Sequence, residues 1–171
     1  MQVLDLHQVW DREQDKNRVL VSPESAWLTI EWDIPYPAPI VWEYLTVFRL
    51  EKEFGGYDLV ERTDSLGGRM QLGTDYHCVH SEIEFYNKIL DWKPFDYYTL
   101  HVRFEGLAEY IQSRVLTPTE SGTRLSFYIA EPPENATEEF RDMLRTYIEE
   151  MAIKFKGLIE SDIASGKITL P

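Results

Sequence analysis

Apolar and polar positions alternate strictly over residues 27–34. Leu28, Ile30, Trp32 and Ile34 fall on one side, and Trp27, Thr29, Glu31 and Asp33 on the other. A two-residue period marks a strand with one face buried. Pro35, Pro37 and Pro39 end that run, and Pro37 or Pro39 suits the first turn of a helix. Residues 40–48 continue at helical spacing, and this helix stops before Gly55-Gly56. Further strands are predicted at 57–63, 74–80, 82–92, 97–104, 108–117 and 123–129, with turns at Gly67-Gly68, Pro94, Gly106 and Glu120-Ser121-Gly122.

Pro132-Pro133 separates this meander from a last helix predicted over 137–164, where Asn135 and Glu138 have the spacing of a capping box. Phe140, Met143, Leu144, Tyr147, Ile148, Met151, Phe155, Leu158 and Ile159 form one helical stripe. Of these, Phe140, Met143, Tyr147, Met151 and Phe155 are expected to face the sheet. Burying such a face is worth roughly 1.5–3 kcal/mol per large side chain, so the helix must be docked. Lys154 interrupts the stripe, and Gly157 costs about 1 kcal/mol relative to alanine unless it allows a bend or a close approach. Ser165-Gly166 supplies a stop.

The order strand, helix, six strands, long helix is an α+β arrangement, one domain over residues 27–171 preceded by an N-terminal extension, 1–26. The extension carries a charged run at 11–18, read as a short exposed helix, flanked by valines and leucines that pack on the domain or on a second subunit in a homodimer. With 171 residues and 43% hydrophobic positions the chain can build its own core. Its net charge of −13 repels phosphate backbones and anionic lipid, which argues against nucleic-acid partners. No apolar run reaches the length of a membrane span, no basic-then-apolar leader opens the chain, and Cys78 is the one cysteine. A cytoplasmic location is the expectation.

Several motifs in this order resemble the SRPBCC superfamily, the START-like or helix-grip fold. The opening Pro37-Ala38-Pro39-Ile40-Val41-Trp42-Glu43-Tyr44-Leu45-Thr46 is similar to its "proline, then V-W-x-x-L-T" helix start, and Gly122-Thr123-Arg124-Leu125 to its "G-T-R/K-L" strand entry. The stretches 73–80 and 89–99 resemble a bacterial subset whose domains also occur fused to class III nucleotide cyclases. The resemblance spans about residues 27–165. It implies a curved antiparallel sheet of six to seven strands wrapped around the long helix, with a deep cavity between them for apolar or aromatic molecules. It carries over no catalytic residue.

The candidate ligand-binding positions are Tyr76, Cys78, His80, Tyr98, Leu100, Tyr110, Gln112, Phe127, Met143, Tyr147, Met151 and Lys154. His77 and His80 stand three apart on a strand and point to opposite faces, so they do not converge on a metal. Tyr76, Cys78 and His80 share a face, as Glu82 would if the strand ran on. Residues 92–98 read either as an aromatic cavity rim or as hairpin packing. On the strand from 108, either Tyr110, Gln112 and Arg114 or Ile111 and Val115 face inward. In the first case Gln112 and Arg114 are buried polar groups and candidates to orient a ligand. Lys154 either snorkels to water or stands at the pocket mouth to meet an acidic ligand.

No nucleophile with its base is visible, and no cofactor or metal is expected. The leading expectation is non-catalytic binding of a small apolar or aromatic molecule. A helix packed flush, leaving room for only a few waters, would count against it. The rivals are a polyketide cyclase- or dehydratase-like enzyme using His80, Tyr98 or Glu82, and a regulatory interaction module linked to nucleotide-cyclase signalling in which residues 1–26 matter.

Overall fold

The computed structural model describes residues 18–62 and 68–169. The elements run β1 (Leu28–Ile34), α1 (Ala38–Thr46), α2 (Phe48–Gly55), β2 (Asp58–Arg62), β3 (Asp75–His80), β4 (Ile83–Lys93), β5 (Tyr97–Phe104), β6 (Ala108–Thr119), β7 (Gly122–Ile129) and α3 (Glu138–Ala164). One seven-stranded sheet has the order β1-β7-β6-β5-β4-β3-β2, and every neighbouring pair is antiparallel. Strands β2 to β7 form a continuous meander, and β1 closes the far edge against β7. The long helix α3 packs on β1 and α2.

Residues 40–55, read as one helix, form two. Val47 adopts an extended conformation between α1 and α2 and bridges Arg69, while the Met70 N–H donates to Thr46 O at 2.7 Å. Pairing with the 69–70 segment thus breaks the helix and turns α2 toward the sheet. Gly67 lies outside the described residues, as does most of the charged run at 11–18.

Thr137, not Asn135, is the N-cap of α3, and its hydroxyl accepts from the Phe140 N–H at 3.2 Å. Asn135 sits at φ 59 and donates its side-chain amide to the Leu107 carbonyl. The buried residues of α3 are Phe140, Leu144, Ile148, Met151, Phe155, Ile159 and Asp162. Their spacing of three and four carries the stripe past Met143, which is 41% exposed and does not face the sheet as expected. Phe155 sits at the centre, 4.9 Å from Phe54 and 5.6 Å from Trp32 between ring centroids.

Tyr97, Thr99 and Ser113 on the outer face are also fully buried, because residues 18–21 cross over them. The Val21 N–H donates to Ser113 Oγ at 2.9 Å, the Val19 N–H donates to Asp91 Oδ2 at 2.9 Å, and Arg18 stacks on the Tyr97 ring. The described part of the N-terminal extension is therefore a cover on the domain's own sheet.

Candidate functional site

Alternate residues of four strands line up across the inner face of the sheet. Cys78, Phe85 and Phe104 form one row, and Tyr76, Asn87, Val102 and Tyr110 the next, each side chain opposite its neighbour in register. Gln112 and Arg114 continue from Tyr110 along β6 and point inward, which settles the face of that strand. These residues, with Glu51, Gly55 and Tyr57 from α2 and its exit and Tyr147, Ile148 and Met151 from α3, line a half-open cavity of about 50 Å³. That is room for about three to five waters, which counts against the apolar or aromatic guest expected from the sequence. This pocket is not the deep apolar cavity that the resemblance implies, and its internal space is too small for a bulky guest. The lining is also more polar than expected.

All of the lining is buried except His80 and Tyr147, which are half-buried and mark the mouth. The Tyr147 hydroxyl and His80 Nδ1 are 3.2 Å apart. Burial, and then the charge of Lys154, lower the His80 pKa to about 4, so its imidazole is neutral near pH 7.

Two ionisable groups share the interior. Glu51 is 6% exposed and Arg114 9%. Arg114 Nη1 donates to the Tyr98 hydroxyl at 2.7 Å, and Tyr98 reaches back toward the Leu45 carbonyl at 3.5 Å. Glu51 Oε2, Arg114 Nε and the Tyr57 hydroxyl have no hydrogen-bond partner in the protein. Burial pushes the Glu51 carboxyl up to about 7, opposed by the Arg114 charge. Burial also disfavours the Arg114 cation, but Tyr98, Tyr76 and Glu51 outweigh it, so the guanidinium stays protonated. Burial, followed by Glu51, raises the Cys78 thiol to about 12 and lifts Tyr76 well above the usual phenol range. Cys78 is thus an unreactive wall.

Seven of the expected positions, Tyr76, Cys78, His80, Tyr110, Gln112, Tyr147 and Met151, come together around this space. Tyr98 lies behind it as the support of Arg114. Leu100 and Phe127 belong to the packed core and do not reach it, while Met143 and Lys154 are exposed. Glu82 also stays out, because β3 ends at His80 and Ser81-Glu82 form a tight turn with Ser81 at φ 57. Trp92 and Phe95 of the aromatic run 92–98 pack on α1 and not around the cavity, 4.7 Å and 5.9 Å from Trp42 between ring centroids, while Tyr97 lies on the outer face. His77 faces the other side, stacked on Tyr86, and no group of metal-ligating side chains occurs among the described residues. Glu51 was the residue missed. The spacing Phe48, Glu51, Phe54-Gly55 places it on the buried side of α2, and that period was its one visible signal.

A seven-stranded antiparallel sheet gripping a long C-terminal helix is the helix-grip fold. Solved structures agree. DynU16, a protein of the dynemicin biosynthetic locus, is 18% identical with a TM-score of 0.65 over 79% of this chain, and the match spans 47% of its own length. MLL2253 of Mesorhizobium loti is 15% identical with a TM-score of 0.65, covering 78% of this chain and 96% of its own. SA2116 of Staphylococcus aureus, a protein of unknown function, is 15% identical with a TM-score of 0.65, covering 80% and 94%. No family model and no curated protein matches the chain in sequence. No helix among the described residues is long and apolar enough to cross a membrane.

Proposed function

We propose that this chain is a START-like domain of the SRPBCC superfamily that binds one small molecule between the sheet and α3. One observation carries the reading. A buried carboxyl and a buried guanidinium line the same half-open cavity, and Glu51 Oε2, Arg114 Nε and the Tyr57 hydroxyl are left without protein partners. Each such atom costs about 1–3 kcal/mol, and more when charged. Waters, or a guest with its own donors and acceptors that displaces them, recover that cost. The guest is therefore smaller and more polar at one end than the apolar molecules that the resemblance implies. Phe85, Phe104 and Tyr110 give its other end an aromatic wall.

Thermal unfolding against a panel of small polar and aromatic compounds tests this. Ligands should raise the midpoint of the wild type and lose that effect in Cys78→Met, which fills the cavity. Equal shifts in both proteins would place binding elsewhere.

An enzyme of the cyclase or dehydratase kind is the second reading. It is favoured by Glu51, which titrates near neutrality inside the cavity and has the environment of a general base, a role not available to the exposed Glu82. Glu51→Gln would then abolish turnover while leaving binding in place.

A further inference from the structure

The chemistry of the two buried groups narrows the guest. Arg114 donates to one neutral partner, the Tyr98 hydroxyl, its guanidinium also lies over the Tyr98 and Phe127 rings, and its Nε–H has no protein partner among the described residues. No carboxylate lies within ion-pair distance of it among the described residues. Glu51 acts on it electrostatically without an ion pair, and both residues line the cavity. A buried cation with no paired carboxylate, lining a cavity, fits an anion placed there. A doubly charged phosphate would bring two charges to one cation, whereas a carboxylate balances it.

We propose that the guest is a small carboxylic acid, bound as the carboxylate against Arg114 while Glu51 carries a proton and donates it in a hydrogen bond to the same carboxylate. This rests on the cavity being a binding site. The proton balance is simple: the ligand enters ionised, and one proton is taken from solvent onto a Glu51 oxygen. Glu51 is suited to this exchange because burial already holds its carboxyl near pH 7.

The groups facing Glu51 do not titrate in the same range. Arg114 on β6 remains cationic, Tyr98 on β5 and Cys78 on β3 are pushed up to about 12, and Tyr76 on β3 and Tyr147 on α3 are also raised. His80 at the mouth is lowered to about 4. Between pH 7 and pH 9 Glu51 is thus the group whose protonation changes with the complex. Sign follows directly: the complex holds one more proton than the free protein, so binding weakens as pH rises above the Glu51 value.

NMR titration of the full chain with acetate, butyrate and benzoate, and with acetamide, butyramide and benzamide, tests the assignment through the Arg114 Nε–H signal. These acids ionise near pH 4–5, roughly as side-chain carboxyls do, and stay anionic throughout. We expect at least one acid to shift that signal and to bind about tenfold or more tightly than its amide. Its dissociation constant should rise about fivefold from pH 7 to 8 and about tenfold from pH 8 to 9 in the wild type and stay flat in Glu51→Gln. Amides binding as well as acids, or a flat wild-type profile, would overturn the carboxylate assignment and leave the binding cavity standing. No shift of any cavity signal by either series would remove both. Arg114→Gln should lose the acid; if that variant does not fold, the Glu51→Gln pH profile still decides.

Discussion

The Tyr147 hydroxyl stands 3.2 Å from His80 Nδ1, joining the middle of α3 to the last residue of β3 at the mouth of the cavity. Either group can donate, depending on the imidazole tautomer. Because His80 is partly buried and its pKa is lowered to about 4, this contact is a neutral hydrogen bond over the ordinary pH range. Tyr147→Phe keeps the ring packing with Phe85 and removes only the hydroxyl. It should cost about 1 kcal/mol or less in urea unfolding and speed ligand exchange measured by NMR. An unchanged exchange rate would show that the contact does not control entry.

Tyr98→Phe is expected to be more costly. Among the described residues the Tyr98 hydroxyl is the one group accepting from the buried Arg114 guanidinium, and its loss strands a charge. Hydrogen bonds to charged groups contribute about 1.5–3 kcal/mol, and urea unfolding of the variant should lose at least that much.

Glu51 and His80 push stability in opposite directions with pH. The Glu51 value rises from 4.5 to about 7 on folding, so between those values the folded state holds more protons and stability falls as pH increases. The His80 value falls from 6.5 to about 4, so stability rises with pH over that window. In the wild type the two partly cancel. Replacing the buried acid by Glu51→Gln removes one of them. The stability of the variant minus that of the wild type should climb by about 3 kcal/mol from pH 4.5 to pH 7 and then level off. Denaturant unfolding across that range measures it, and a flat difference would mean that Glu51 ionises as in water.

Two glycines should respond in opposite ways to alanine. Gly122 has φ 151, and a Cβ there would come within 2.2 Å of the Ile34 carbonyl oxygen where β7 begins beside β1, so Gly122→Ala should destabilise severely or prevent folding. Gly157 meets nothing within 4 Å, so the close approach that its position invited does not occur. Gly157→Ala should stabilise by about 0.5–1 kcal/mol, read as a higher thermal midpoint.

The strands were legible because alternation reports directly which side of a sheet is buried. β5 begins and ends as the pattern places it, and β1 differs by one residue. The break at Val47 was not legible, since it depends on pairing with Arg69, more than twenty residues on. Met143 was misplaced because a stripe of threes and fours admits two neighbouring faces, and only docking on β1 and α2 chooses between them. At the site, alternation grouped Tyr76 with Cys78 and Tyr110 with Gln112, but it left open which face of β6 turns inward, and the structure decides this. Glu51 could not be assigned a role, because its meaning lies in Arg114 across the cavity, and no spacing in the chain brings those two together.

The account stands on the cavity holding a small molecule, and native mass spectrometry of the protein purified from its own host tests this most directly. The prediction is a species heavier than the chain by one small molecule, released on collisional activation and absent from Cys78→Met. A chain that carries nothing, and that none of the acids or amides enters, would contradict it.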